Sequence, residues 1–379
     1  MRRLKRYIYH SSQWPKFTWD RDAIAAPLAH VRHRQGRLLG RMEGLGFALR
    51  QEAELETMTL DVVKTSEIEG DNLNAQQVRS SLARRLGIEI TGAVPANRHV
   101  EGVVEMIMDA TQNYGSPLSR ERLFSWHAAL FPTGHSGIQK IAVAAWRDDA
   151  KGPMEVVSGP VGRETVHYDA PPAAALEPEM KRFILWANRD NGMDPVLKSA
   201  IAHLWFVTIH PFDDGNGRIA RAIADWILAR SEQSAQRFYS MSAQIRRDRD
   251  GYYDILEHTQ KGSLDITAWL QWFIGCLGRA IDGTETTLAA VLRKAGFWKK
   301  HNHVVLNDRQ RLMLNKLLDR FEGKLTSSKW ANIAKCSQDT ASRDIQLLID
   351  AGILVKDAAG GRSTSYSLRH SEKHQKQLI

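Results

Sequence analysis

The chain of 379 residues is long enough for two or three domains, and its composition, 43% hydrophobic and 25% charged, is ordinary for a soluble protein. Its longest apolar run, around residues 200–209, is too short to cross a bilayer, and two cysteines are too few for a disulfide framework, so we expect a cytoplasmic protein without membrane contact. The net charge of +9 is concentrated at basic ends flanking a mildly acidic middle, which makes nucleic acid a candidate partner of a terminal domain.

The N-terminal segment is basic and aromatic. Residues 1–17 lack the apolar stretch of a signal peptide. The segment from Tyr7 to Trp19 is β-like in composition and too apolar to be a disordered arm. We expect it to fold back over a neighbouring helix.

Residues 21–70 follow a helical pattern with one interruption near residues 44–46. The second helix is predicted to end at Gly70, a common stop residue, which places Glu69 at the negative end of the helix dipole. A carboxylate is unfavourable there unless a cation faces it. Glu69 is therefore a candidate functional residue.

Further helices are predicted at 71–86, 100–114 and 119–130, the last of them carrying a core histidine, His127. Two β-like runs, at 154–159 and 164–168, then predict a hairpin with its turn at 160–163. Residues 177–188 return to a helical pattern.

The stretch from His210 to Arg221 combines a base, two carboxylates, two glycines and two arginines between two apolar helices. Asp194 and Pro195 are typical of a helix start, and that helix must stop before Pro211. The next helix is predicted to begin near Asn216, so its N-terminus coincides with the glycines.

This helix start is suited to binding phosphate groups. A helix N-terminus attracts anions, and Gly215 and Gly217 allow the main chain to approach them closely. Arg218 and Arg221 lie three residues apart on one helix face, where two guanidinium groups can clamp successive phosphates.

The residues beside the glycines include candidates for a metal ligand and for a general base. A carboxylate, Asp213 or Asp214, is compatible with bound phosphate when Mg²⁺ bridges the two. His210 can accept the proton of an incoming hydroxyl. Together these residues predict nucleotidyl transfer.

The stretch resembles the signature of the Fic (filamentation induced by cAMP) family, H-P-F-x-[D/E]-G-N-G-R-x-x-R, at every specified position. Family members mostly transfer AMP from ATP to a Ser, Thr or Tyr hydroxyl of a protein, and a related phosphotransferase branch has Lys in place of Gly217. The resemblance implies that His210 is the general base and that Phe212 anchors the loop. It also implies that Asp214 holds Mg²⁺, that Asn216 with the Gly215 and Gly217 backbone binds the α- and β-phosphates, and that Arg218 and Arg221 bind the outer phosphates.

Thr65, Glu69 and Gly70 match the inhibitory motif [S/T]-x-x-x-E-[G/N] that one subclass of the family carries N-terminal to the catalytic motif. The resemblance implies that Glu69 pairs with Arg221 and occupies the space of the γ-phosphate, so that ATP binds in an unproductive pose. The alternative is an ordinary surface glutamate. The sequence leaves open whether this helix blocks its own active site or that of a partner subunit in a homodimer.

Two further regions resemble parts of the family. The hairpin at 154–168 occupies the place of the flap, which pairs with an extended segment of the target protein, although an ordinary surface hairpin is the alternative. Tyr252 and Tyr253 lie where family members cover the nucleoside. An aromatic pair on a helix is, however, as often part of the core.

The C-terminal residues 305–370 resemble a winged helix. Helices are predicted at 308–321, 327–336 and 338–351, followed by β-like runs at 353–356 and 364–368 around a turn at 358–361. A DNA reader would place its contacts at the start of the third helix, on Ser337, Gln338, Thr340, Ser342 and Arg343. Winged helices also dock proteins, and both alternatives stay open.

The sequence thus predicts a mainly α protein with an N-terminal module and inhibitory helix at 1–95, a Fic catalytic core at 96–298 and the winged-helix-like domain at 305–370. Its predicted function is that of an autoinhibited protein adenylyltransferase that uses Mg²⁺ and ATP. One alternative is a hydrolase in which Glu69 orients water to remove AMP from a modified protein. Another is a DNA-binding regulator whose Fic core senses nucleotide.

Overall fold

The computed structural model describes residues 7–90, 93–150, 152–159, 163, 165–318, 321, 323–357 and 364–369. The protein is mainly helical, as predicted, and divides into two compact units, Met1–Leu288 and Ala289–Ile379. The boundary follows residue 288, ten residues before the predicted end of the catalytic core at residue 298. The reason is that Phe297 and Trp298 pack against the hydrophobic core of the second unit.

Three helices open the first unit: α1 (Arg21–Glu43), α2 (Phe47–Ile68) and α3 (Ala75–Leu86). The predicted interruption between α1 and α2 is confirmed. The helix expected to begin at Asp71 starts only at Ala75, because the Asn74 side chain accepts hydrogen bonds from two main-chain N–H groups and caps it there. Glu69 is the C-cap of α2, and Gly70 follows with φ of +90°.

The aromatic N-terminal segment does fold back over a helix, since Trp14 and Phe17 pack against Trp205, but it is not a strand. A single 3₁₀ turn forms at Ile8–His10, and a bridge to Asp265 at Thr18 is its one β-like contact among the described residues. The Tyr7 ring packs edge-on against Tyr168, with 5.0 Å between ring centroids. Aromatic composition alone does not distinguish a strand from such a packed turn.

The central helices of this unit are α7 (Pro195–Ile209) and α8 (Asn216–Glu232). The other helices are α4 (Arg98–Gln112), α5 (Arg120–Leu130), α6 (Leu176–Asn188), α9 (Met241–Arg247), α10 (Arg249–Gln260) and α11 (Thr267–Thr287). Nearly every residue of α7 is buried, and Ser199 of α7 donates a hydrogen bond to the Ala224 carbonyl of α8 at 3.0 Å. The predicted helix–loop–helix is therefore confirmed, and it lies at the centre of the unit.

Two hairpins flank this helical core. The short pair β1 (His135–Ser136) and β2 (Gln139–Lys140) was not predicted, because two-residue strands leave no periodicity in the sequence. The predicted hairpin is present as β3 (Glu155–Ser158) and β4 (Thr165–Asp169). Most of its predicted turn, residues 160–162, lies outside the described residues.

The second unit contains α12 (Ala289–Lys300), α13 (Asp308–Leu318), α14 (Ser327–Ala334), α15 (Gln338–Asp350), β5 (Leu354–Lys356) and β6 (Tyr366–Leu368). Helices α13 to α15 and the β5–β6 hairpin follow the order expected of a winged helix, and Leu325 adds an antiparallel bridge to Tyr366. The predicted turn at 358–361 lies outside the described residues.

The predicted DNA contacts lie at the start of α15. Ser337 caps this helix by accepting a hydrogen bond from the Thr340 main chain, whereas Ser342 and Arg343 are exposed. DNA binding stays a prediction. Within the described ranges, no helix has both the length and the apolar character that a membrane span requires.

Candidate active site

His210 lies at the junction between α7 and the predicted phosphate loop. Its backbone has φ of +52°, which ends α7, and its Nδ1 lies 3.2 Å from the Val207 carbonyl. With the ring hydrogen on Nδ1 donated to that carbonyl, Nε2 keeps its lone pair. Burial lowers the pKa of His210 to about 4, so the imidazole is neutral near pH 7 and can accept a proton.

Arg147 holds this junction in place and was not identified from the sequence. Its Nε donates to the His210 carbonyl at 2.7 Å, and its main-chain N–H donates to the Pro211 carbonyl at 2.9 Å. A second guanidinium nitrogen donates to Pro171, just beyond β4. The side chain is fully buried, and Asp149 pairs with it at 3.1 Å. Arg147 lies more than sixty residues before His210 and belongs to no recognised motif, so nothing in the sequence connects the two residues.

Phe212 anchors the loop in the core, as the resemblance implied. It is fully buried, and the His127 ring stacks on it at 4.2 Å with an interplanar angle of 7°. His127 also lies 3.2 Å from the Asp214 carbonyl through Nε2, and its Nδ1 accepts the Ala144 N–H. Burial lowers the pKa of His127 to about 4, so it is the neutral core histidine that was predicted, with the additional task of holding the loop backbone.

The buried side chain of Asn216 shapes the loop from inside. Its amide oxygen accepts from the Phe212 N–H at 3.0 Å and its amide nitrogen donates to the Phe212 carbonyl at 2.8 Å. These bonds fix the shape of the loop, and the expectation that Asn216 contacts phosphate stays a prediction. The main-chain N–H groups at the start of α8 are further candidates for binding an anion, and Gly215, with φ of +83°, and Gly217 carry no side chain there.

Arg221 is occupied by the end of α2. Its Nε donates to the Thr65 hydroxyl at 2.8 Å, and one terminal nitrogen donates to the Thr65 carbonyl at 2.9 Å and to Glu69 Oε1 at 2.7 Å. The side chain is almost fully buried, and its other terminal nitrogen has no partner in the described part of the chain. The expected ion pair between Glu69 and Arg221 is therefore present.

The Glu69 carboxylate also lies directly against the first turn of α8. A Cβ atom added to Gly217 would come within 2.3 Å of Glu69 Oε1. The carboxylate thus occupies the space beside the helix N-terminus where an anion is attracted. Gly70, with its positive φ, ends α2 immediately after this residue.

Arg218 is held by a second carboxylate, Asp71, which the sequence analysis did not identify. One terminal nitrogen of Arg218 donates to Asp71 Oδ2 at 3.0 Å, and the other lies 3.9 Å from Asp214 Oδ2. The guanidinium lies 5.1 Å from the Phe131 ring centroid, and its Nε is buried without a partner among the described residues. A hydrogen bond from His99 and the charge of Arg218 lower the pKa of Asp71. In the sequence, only the position of Asp71 two residues after Glu69 could have indicated that it lies near the site.

Asp214 lies at the open side of the loop. Its Oδ1 accepts from the Gly215 N–H at 2.5 Å and its Oδ2 accepts from the Ser136 hydroxyl, yet 42% of the side chain is exposed. Asp213 instead accepts from the Ala142 N–H. The described residues contain no group of three or more His, Cys, Asp or Glu side chains that could hold a metal. Mg²⁺ bound to phosphate needs only one or two carboxylates, so the half-exposed Asp214 fits that role.

The two tyrosines differ in their surroundings. Tyr252 is buried, and its hydroxyl lies 2.8 Å from Nε2 of His203 inside the core. It offers no free ring face, which corrects its assignment as a nucleoside contact and favours the core alternative. The Tyr253 hydroxyl lies 3.4 Å from Glu69 Oε2, and Arg249 covers its ring at 5.0 Å. Tyr253 therefore lies beside the inhibitory carboxylate.

Comparison with family models matches two parts of the chain. Residues 7–88 match a model described as a domain of unknown function, DUF4172. Residues 117–228, which include the whole loop and most of α8, match the model of the Fic/DOC family.

Relatives align over limited regions. A protein adenylyltransferase Fic from Culex quinquefasciatus is 26% identical over 238 residues, covering 61% of this chain and 42% of the relative. A probable protein adenylyltransferase from Aquifex aeolicus is 31% identical over 119 residues, covering 31% of this chain and 33% of the relative. The chain therefore spans less than half the length of these curated relatives.

Solved structures share the fold across more of the chain. A Fic family protein from Desulfovibrio desulfuricans superposes with a TM-score of 0.58 at 21% identity, covering 94% of this chain and 98% of the other. A Fic domain containing signaling protein from Bacteroides thetaiotaomicron superposes with a TM-score of 0.50 at 18% identity, covering 68% and 97%. At these identities the likeness is one of fold.

Proposed function

Since the chain contains a Fic/DOC family domain at residues 117–228, we propose that it is an autoinhibited protein adenylyltransferase, which transfers AMP from ATP to a Ser, Thr or Tyr hydroxyl of a target protein. The observation that carries the proposal is the neutral imidazole of His210, held through Nδ1 so that Nε2 keeps its lone pair, on the loop that leads into the N-terminus of α8. The buried arginines on that helix supply the charge that a triphosphate needs.

In this proposal, His210 Nε2 takes the proton of the target hydroxyl as its oxygen attacks the α-phosphorus of ATP. The oxygen–phosphorus bond forms, the bond to the β-phosphate oxygen breaks, and pyrophosphate leaves. The α8 main chain, Arg218 and Arg221 hold the phosphates, and Asp214 would hold Mg²⁺. When bound, the metal would supply neutralisation of the phosphate charge. Positioning and charge neutralisation thus account for most of the proposed catalysis.

The hairpin of β3 and β4 is the proposed docking site for the target. It has only two strands, and Val157 on β3 is 46% exposed. The hairpin is tied to the active site because the Tyr168 hydroxyl donates to the Thr208 carbonyl, two residues before His210. Main-chain pairing along an exposed strand edge can bring a target hydroxyl to the loop with little demand on the target side chains.

The choice of AMP transfer over phosphotransfer is supported by the space at Gly217. The phosphotransferase branch of the family has Lys at this position. In this chain a Cβ at this position would lie 2.3 Å from a Glu69 carboxylate oxygen, so the Glu69 side chain would have to move to admit a lysine. Gly217 therefore leaves the space that the Glu69 carboxylate occupies.

The proposed reaction can be tested with ATP labelled at either the α- or the γ-phosphorus. The Glu69→Gly variant would be incubated with each ATP, Mg²⁺ and a cell lysate as the source of targets. Protein-bound label is expected from α-labelled ATP alone. Retention of γ-label would indicate phosphotransfer, and retention of neither label would contradict transfer to protein.

The pH dependence of transfer reports the state of His210. Burial lowers the pKa of this imidazole, and the base form is therefore present above about pH 5 and is lost as the pH falls through about 4. The transfer rate of Glu69→Gly should be nearly constant between about pH 5.5 and about pH 8. Removing Glu69 extends this range to lower pH, because the charge of Glu69 raises the pKa of His210. Initial rates across that range would contradict the assignment if they halved near pH 6.5, the value of an exposed histidine.

Asp71 is expected to add to the inhibition by occupying Arg218. In the Glu69→Gly background, Asp71→Asn should lower the KM for ATP about 2- to 5-fold, a small effect because 45% of the Asp71 side chain is exposed to solvent. Steady-state rates at varied ATP concentration would measure it. Asp250→Asn, an equivalent change at an exposed position of α10, serves as the control. A raised KM would show instead that Asp71 orients Arg218 for phosphate binding.

A further inference from the structure

A chain of hydrogen bonds links three side chains on the hairpin and on α10, none of which belongs to the proposed catalytic machinery. The Ser158 hydroxyl on β3 lies 2.6 Å from Nε2 of His167 on β4. Nδ1 of the same imidazole lies 2.6 Å from Glu257 Oε2 on α10. A hydroxyl, an imidazole and a carboxylate are thus connected in order through the two ring nitrogens.

A β-bulge directs His167 toward both partners. In the hairpin Val156 pairs with Tyr168 and Val157 pairs with Val166, so His167 is an extra residue opposite these two valines. A bulge of this kind disrupts the regular alternation of side chains and redirects the extra one. The imidazole therefore reaches across to Ser158 on the neighbouring strand as well as to α10.

The hydrogen bonds among Ser158, His167 and Glu257 are arranged as they are around an activated nucleophile. Glu257 is ionised, because Lys261 contacts its Oε1 and, with His167, lowers its pKa. The carboxylate accepts the Nδ1 hydrogen and orients the ring, which leaves the Nε2 lone pair to accept the Ser158 proton. A nucleophile and base within hydrogen-bond reach, with a third group orienting the base, are the recognised requirements for nucleophilic catalysis by serine.

We infer that Ser158 is a nucleophilic serine and a site of covalent modification by phosphoryl electrophiles that carry a good leaving group. Ser158 is exposed and one third of the His167 side chain is exposed, so such a reagent can reach the hydroxyl. In the reaction, Ser158 Oγ forms a bond to phosphorus, its proton passes to Nε2 of His167, and the leaving group departs with the bonding electron pair. The inference does not depend on the proposed function, since it requires neither ATP nor the α8 loop.

A fluorophosphonate tests the inference on the full-length chain without nucleotide. Here the phosphorus–fluorine bond breaks and fluoride leaves. Intact mass is expected to show one adduct, and peptide mapping should place it on Ser158. Ser158→Ala should remove the adduct, whereas Ser263→Ala, at another exposed serine outside the helices, should retain it.

The labelling rate of the neighbouring variants distinguishes activation from simple exposure. His167→Gln should slow labelling at Ser158 by about 100-fold, since it removes the base, and Glu257→Gln should slow it less, since the base remains but loses its orienting charge. Thermal unfolding of each variant would show that the hairpin and α10 are intact. Adducts spread over several serines, or a Ser158 labelling rate unchanged in His167→Gln, would overturn the inference.

Discussion

Glu69→Gly is expected to raise AMP transfer by about 10- to 100-fold, the factor that corresponds to one hydrogen bond to a charged group, worth roughly 1.5–3 kcal/mol. In the wild type, ATP must displace the 2.7 Å ion pair between Glu69 and Arg221 and the carboxylate that lies against the first turn of α8. The substitution removes both obstacles together. Arg221 keeps its bonds to Thr65, so the guanidinium stays in position for phosphate.

The measurement is incorporation of α-labelled AMP into protein by wild type and variant at equal concentration. Glu67→Gly is the matched control, because it places the same glycine in the last turn of α2 but removes a carboxylate that pairs with Lys64. A rise in the control as well would attribute the effect to loosening of α2. A fall in Glu69→Gly, together with loss of AMP removal from a modified protein, would favour the hydrolase in which Glu69 orients water.

His210→Ala, made in the Glu69→Gly background, is expected to reduce transfer by about 100- to 10,000-fold, the range for loss of a general base. The imidazole is the proposed acceptor of the target proton, and its position depends on Arg147 and on the left-handed backbone at residue 210. ATP binding should be nearly unaffected, because the buried arginines and the α8 main chain remain. The effect should therefore appear in kcat rather than in the KM for ATP.

Calorimetric titration with Mg-ATP and single-turnover transfer rates would separate binding from chemistry. His258→Ala, at an exposed histidine of α10, controls for general effects of the substitution. If His210→Ala lost ATP binding in parallel with activity, the residue would act on the shape of the loop. A near-normal transfer rate would remove His210 from the reaction.

The predictions that succeeded depend on short segments of the chain. The helix starts at Pro195 and Asn216, the C-terminal position of Glu69 on α2 and the β3–β4 hairpin follow from caps, glycines and periodicity within a few residues. The assignment of Phe212 to the core came from the resemblance of the loop to the family signature. The expected pairing of Glu69 with Arg221 came from a resemblance between motifs, since no local rule connects residues 152 positions apart.

Other assignments required the packing of distant elements. The bonds of Arg147 to the loop and of Asp71 to Arg218 join segments that are separated by more than sixty residues. Such contacts leave no periodicity or spacing in a single sequence, and the burial of Tyr252 likewise depends on which helices surround α10.

By itself, the sequence determined the helical framework and the local chemistry of the loop, because hydrogen bonding, capping and the anion-binding helix start act between near neighbours. Only the tertiary structure decided which arginine each acidic residue pairs with, and whether a side chain faces the active site or the core. It also decided whether Ser158, His167 and Glu257 come into line. These outcomes are set by the packing of whole helices and hairpins, since burial and pairing energies depend on every element around a residue and not on its place in the chain.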